Sequence, residues 1–190
     1  MDNNNFLIDS NSFIDPSQRS YRFNCFPSFW QWLKKEIQKD DNRIIIPKCV
    51  FDELKNNNDE LTDWVDENLN EYYFDERTEP IVWQNYAKVI DYINNSGIYG
   101  GAGARDWSRE GKADPILIAI AMSYDYKIVT FEKFTGEFVS LKDEDGKATN
   151  KLKNPNYSTN KEPKIPDVAQ HFGVSCISLY DVEEILGLAV

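Results

Sequence analysis

Apolar positions along this chain come in two textures, short unbroken runs and longer stretches repeating every three or four residues. The runs FLI (6–8), RIII (43–46), KIVTF (127–131) and VSCISL (174–179) have no in/out alternation, as expected of parallel strands covered on both faces. Between them the period becomes helical. Phe26, Phe29, Trp30, Leu33 and Ile37 share a stripe, with Pro27 where a first helical turn tolerates it. Pro47 closes the second run ahead of a helical stretch bearing Val50, Glu53 and Leu54. Two further helices follow, one marked by Leu61, Trp64, Val65 and Leu69, the other by Ile81, Val82, Tyr86, Val89, Ile90 and Ile93. ADPILIAIAMSY (113–124) is apolar on nearly every side and predicts a buried helix, with Asp114 at the N-cap and Pro115 at the first helical position. Val182, Ile185 and Leu186 mark a short closing helix.

Punctuation lies between these elements. NSGIYGGAGA (95–104) is glycine-rich and predicts a flexible connection. Residues 135–164 are polar, with few apolar anchors, and predict a solvated insertion. Within it DEDG (143–146) lacks the alternation and distal glutamate of a calcium loop, and is expected to be a turn. Strands alternating with helices predict an α/β fold with a largely parallel sheet, and no repeat or second hydrophobic unit divides residues 1–190.

With 41% hydrophobic and 14% aromatic residues in 190, the chain has enough apolar surface for one core. No apolar segment is long enough to cross a bilayer and the opening MDNNN is polar, so no membrane association and a cytoplasmic location are expected. A net charge of −11 argues against coating nucleic acid by bulk electrostatics. It leaves room for a nuclease, because a bound divalent cation partly reverses the local sign of an acidic site. The single histidine, His171, excludes multi-histidine metal sites, and no GxSxG elbow accompanies it; a helix-terminal position is expected. Cys25, Cys49 and Cys176 form no CxxC pair and are expected to be small buried apolar residues.

Parallel α/β folds bind ligands beyond the carboxyl ends of their strands, and carboxylates fall there. Asp9 ends strand one, Glu53 lies on the helix just after strand two, Asp114 opens the buried helix and Glu132 ends strand three. Close carboxylates are costly unless a cation compensates them, and hard oxygen donors suit Mg²⁺ or Mn²⁺. Each also has a plainer reading: a turn or helix cap for Asp9, Asp114 and Asp167, a solvated helix face for Glu53, a surface turn for Glu132.

FLIDSNSFI, IIIPKCVFDEL, KADPILIAIA and KIVTFE in this order resemble the PIN-domain nucleases. The closing KIPDVAQHFGVSCISL and the aromatic YRFNCFPSFWQWL are similar to a poorly characterised prokaryotic, toxin-like branch of that superfamily. The resemblance spans nearly the whole chain. It implies a three-layer α/β/α domain around a mainly parallel sheet of four to five strands, and Mg²⁺- or Mn²⁺-dependent cleavage of RNA. It also implies Asp9, Glu53 and Asp114 as metal-binding carboxylates, with Glu132 or Asp167 as the fourth and Asn11 orienting Asp9. A toxin role with a cognate antitoxin that inserts a basic side chain among the carboxylates belongs to the same expectation, as does a homodimer. Lys48, Lys55, Arg105, Arg109 and Lys112 are candidate contacts to the phosphate backbone, or plain surface charges. The alternative is a catalytically silent module that binds RNA or a protein partner. A phosphohydrolase of the haloacid dehalogenase kind would need an aspartate where Asn11 stands.

Overall fold

The computed structural model describes residues 5–135, 138–142, 148–152 and 162–188. Its centre is a four-stranded, all-parallel sheet of β1 (Phe6–Ile8), β2 (Ile44–Ile45), β3 (Lys127–Val129) and, at one edge, Cys176–Ile177, in spatial order β2, β1, β3, Cys176–Ile177. Leu7 pairs with Ile45 on one side and Ile128 on the other, and Val129 pairs with Ile177. β1 is therefore internal, which is why Phe6, Leu7 and Ile8 are all buried and the run lacks alternation.

Helices flank this sheet in an α/β/α arrangement. α1 (Asn11–Asp15) runs into a π-helical turn over Pro16–Ser20, followed by α2 (Pro27–Ile37), α3 (Lys48–Leu54) and α4 (Glu60–Asn68). α5 (Pro80–Asn95) packs along α7 (Ala113–Tyr124), whose residues from Pro115 to Ala121 are all buried. Between them lies α6, Gly101–Trp107. The expected glycine-rich loop is therefore half helix: Ala104 and Trp107 are buried, and packing outweighs the poor helix propensity of the glycines. After β3 come the antiparallel strands β4 (Phe138–Lys142) and β5 (Ala148–Leu152). They provide regular pairing within the stretch expected to be only a solvated insertion, while DEDG lies outside the described residues. α8 (Ile165–His171), β6 (Cys176–Ile177) and α9 (Leu179–Leu186) complete the order.

The aromatic stretch after the π turn belongs largely to the core. Tyr21 stacks on Phe29 at 4.0 Å, Phe23 stacks on Trp30 at 4.1 Å, and Trp64 of α4 meets Trp30 edge-on at 4.9 Å. His171 ends α8 as expected and stacks on Tyr92 at 3.7 Å, a packing role. Cys49 is buried and Cys176 half-buried, but Cys25 is exposed, contrary to the expectation for all three. Among the described residues no helix is long and apolar enough to cross a membrane.

Candidate functional site

The chain places β2 on one side of β1 and β3 on the other, so the carboxyl ends of β1 and β3 form a topological switch point, the place where open parallel sheets receive ligands. Asp9 stands at this position. Its amide continues the ladder to the Val129 carbonyl at 3.0 Å, and the residue is only 1% exposed. Its carboxylate accepts from Thr130 Oγ1 at 2.9 Å and, at a longer 3.4 Å, from Ser10 Oγ and Asn11 Nδ2. Thr130 Oγ1 also accepts the Glu132 amide at 3.1 Å, so one hydroxyl couples Asp9 to the turn bearing Glu132.

Burial pushes the Asp9 carboxyl up to about 7; the charges of Asp114, Glu132 and Glu53 add to the rise and the Thr130 hydrogen bond opposes it. Glu53 is also raised, first by burial and then by Asp114, against the Ser10 hydroxyl, Lys112 and the Ala113 amide. Four carboxylates from four separated segments thus share one electrostatic neighbourhood. The thiol of Cys176 is pushed to about 12 by burial and then by Glu132 and Asp9, which places the edge strand in the same field.

Local structure fixes each contributor. Glu53 rides on α3, whose first two amides, Lys48 N and Cys49 N, donate to the buried Glu76 carboxylate at 2.7 and 3.0 Å. Asp114 lies in the first turn of α7 but is not its N-cap: the helix begins at Ala113, after an extended Lys112. That corrects the expected start, and Asp114 is left to pair with Lys112 Nζ at 2.9 Å.

Glu132 and Asp167 have different surroundings. Glu132 accepts from Lys164 Nζ at 3.1 Å and from the Ile165 amide at 2.7 Å, at the start of α8. Asp167, fully buried in the first turn of α8, accepts from the Thr135 amide at 2.8 Å and from the Thr135 hydroxyl. It is absent from the groups that raise Asp9, whereas Glu132 is among them. Between the two candidates for fourth acid, Glu132 is the one that shares the field at Asp9.

Of the expected basic contacts, Lys112 alone is brought into this field. Lys48 pairs with Asp52, Lys55 with Asp66 and Arg109 with Asp106, while Arg105 is exposed on α6. Sequence reasoning missed Ser10, Thr130, Glu76 and Lys164. Thr130 had one signal, its place directly after an apolar strand run; Lys164 had none. Among the described residues, no group of three or more His, Cys, Asp and Glu side chains already has an arrangement that could hold a metal ion.

A family model matches residues 6–142, which span β1 to β4 and include Asp9, Glu53, Asp114 and Glu132; its description is Domain of unknown function (DUF4411). The chain belongs to this family. Asp167 and Lys164 of this DUF4411 chain fall outside the matched span. No curated protein and no solved structure matches the chain.

Proposed function

We propose that this protein is a divalent-metal-dependent nuclease that hydrolyses RNA phosphodiesters at the Asp9 crevice. The observation that carries the reading is the buried Asp9 carboxyl, raised to about 7 at a topological switch point with Asp114, Glu132 and Glu53 contributing to the rise. Structural carboxylates are normally neutralised by donors or cations. Here a buried one is surrounded by others of its own sign, a costly arrangement that a cation would relieve.

The donor set fits Mg²⁺ or Mn²⁺ in kind, being all carboxylate and hydroxyl oxygen. Asp9, Glu53 and Asp114 would hold the ion, and Glu132 would contribute charge from the rim. When bound, the metal would supply Lewis-acid charge and a water of lowered pKa for in-line hydrolysis. Thr130 and Asn11 hold the Asp9 carboxylate in orientation through their hydrogen bonds. Lys112 and Lys164, now paired with Asp114 and Glu132, would offer their ammonium groups to the phosphate once those carboxylates turn inward. The nucleophile is water, so no serine, cysteine or histidine is required.

A toxin role belongs to this reading, and a cognate antitoxin would act by replacing the Lys112–Asp114 pair with its own arginine or lysine. A homodimer is part of the same proposal and is checked by light scattering. The experiment for the central claim is Mn²⁺ titration of the full chain. Saturating metal should raise the melting temperature, by about 2.7 kcal/mol of stabilisation at a hundredfold excess over Kd. RNA should be cut in Mn²⁺ and not in EDTA. No heat of binding at millimolar Mn²⁺ would remove the proposal.

A further inference from the structure

Beside the acidic crevice, on the outer side of β3, a cleft of about 570 Å³ opens against the edge strand β6. Its walls include Phe131, Glu132, Lys133, Phe134, Gln170 and Tyr180. Phe134 is 44% and Tyr180 49% exposed, and Tyr180 meets Phe131 edge-on at 5.6 Å. Large aromatic rings left open to water around a cleft are unfavourable for the isolated fold and point to a planar apolar occupant.

Two observations identify that occupant. The cleft is lined by Glu132 and Thr130, and Thr130 bonds directly to Asp9, so the cleft adjoins the acidic site through these two residues. Lys133 lines the cleft together with the carboxylates Glu132 and Asp181, and Lys164 neutralises Glu132 at 3.1 Å. Aromatic faces beside lysines form a stacking platform next to a backbone track, the chemistry that receives single-stranded nucleic acid. A duplex keeps its bases stacked on one another and cannot offer them to such a cleft.

We infer that this cleft is a nucleobase subsite, in which Phe134 and Tyr180 stack an unpaired base of the nucleotide adjoining the phosphodiester held at Asp9. The placement of that phosphate rests on the nuclease reading; the stacking of the base is tested independently of it. Gln170, on the exposed side of α8, offers an amide to the base edge.

The test uses the full chain with Ca²⁺ in place of Mn²⁺ and a fluorescein-labelled single-stranded oligoadenylate, with binding followed by anisotropy. The same oligonucleotide with abasic sites and its duplex with oligouridylate serve as comparisons. The single strand is expected to bind the wild type roughly ten- to a hundredfold more tightly than the abasic strand or the duplex. Phe134→Ala and Tyr180→Ala should each remove most of that difference. Trp83→Ala, which removes an exposed ring on α5, should leave it intact. Because both target rings are exposed, unchanged melting temperatures will separate lost stacking from lost fold. Base-dependent binding without cleavage in Mn²⁺ would support the subsite while removing the nuclease reading. Cleavage with equal affinity for base-bearing and abasic strands would do the reverse. Wild-type affinity in both alanine variants, or no binding of any strand, would overturn the subsite and assign the cleft to another class of occupant such as a protein segment.

Discussion

Asp9 and Asp167 are equally withdrawn from solvent, at 1% and 0% exposed, but their surroundings differ. Asp167 is met by the amide and hydroxyl of Thr135, and Glu76, 2% exposed, is met in the same manner by the first two amides of α3. Asp9 receives one good hydrogen bond, from Thr130, and two long ones, and its neighbours include three other carboxylates. Burial of a carboxylate therefore does not distinguish a candidate site from a structural joint. The distinguishing property is the company of the carboxyl: Asp9 lies near three other carboxylates and is raised to about 7, first by burial and then by those charges.

The strongest way to break this contrast is Asp114→Asn, which removes one charge from the cluster while keeping size and hydrogen-bonding capacity. Cleavage of RNA in Mn²⁺ should fall by orders of magnitude. Metal-free stability should move by no more than about 1 kcal/mol, because the partly exposed pair with Lys112 is lost while repulsion within the cluster is relieved. Near wild-type cleavage by a normally folded variant would show that the cluster is structural.

The pH dependence comes next. The Asp9 carboxyl is raised from 3.8 to about 7 in the fold. Between those values the folded chain keeps a proton that the unfolded chain has released. The contribution of Asp9 to metal-free stability is therefore greatest below pH 4, declines as pH rises towards 7 and is flat above. Its upper bound is about 4 kcal/mol. Asp9→Asn should abolish that portion of the slope, as measured by urea melts of both proteins across the range. Parallel slopes would indicate that Asp9 carries an ordinary charge.

A smaller loss is expected at the balanced carboxylate. Asp167→Ala removes the acceptor that the part-buried Thr135 donors meet and should cost about 1–3 kcal/mol. The heat of Mn²⁺ binding, measured by calorimetry, should be unchanged, and a lost metal response would move Asp167 into the site. Asn11→Ala removes only a 3.4 Å contact from an exposed residue and is expected to shift stability by less than about 0.5 kcal/mol. A larger change in Mn²⁺ affinity than in stability would sharpen its assignment as an orienting partner of Asp9.

These residues also show how far the sequence could be read. FLI followed by Asp9 was legible because an internal parallel strand is apolar on both faces, and an abrupt acid at its end stands out. The buried helix was equally plain, since little but a core accepts a run such as PILIAIA. Its start was misplaced because Asp114 and Pro115 carry ordinary first-turn signals, whereas the extended Lys112 has none. α6 was hidden by its glycines, whose effect was outweighed by burying Trp107 and Ala104. The choice between Glu132 and Asp167 depended on partners 32 or 33 positions away, Lys164, Ile165 and Thr135. No local pattern encodes such partners.

Those same partners form a double fastening. Glu132 holds the Ile165 amide, and Asp167 holds the Thr135 amide, so the chain leaving β3 and the chain entering α8 are bound to each other at two points. The two hydrogen bonds close a loop of chain whose ends are Glu132–Thr135 and Ile165–Asp167. The entropy of closing such a loop grows only logarithmically, by about 0.6 kcal/mol for each doubling of length. A change in the length of chain between these points is therefore expected to cost little stability and to leave Asp9, Glu53 and Asp114 in register.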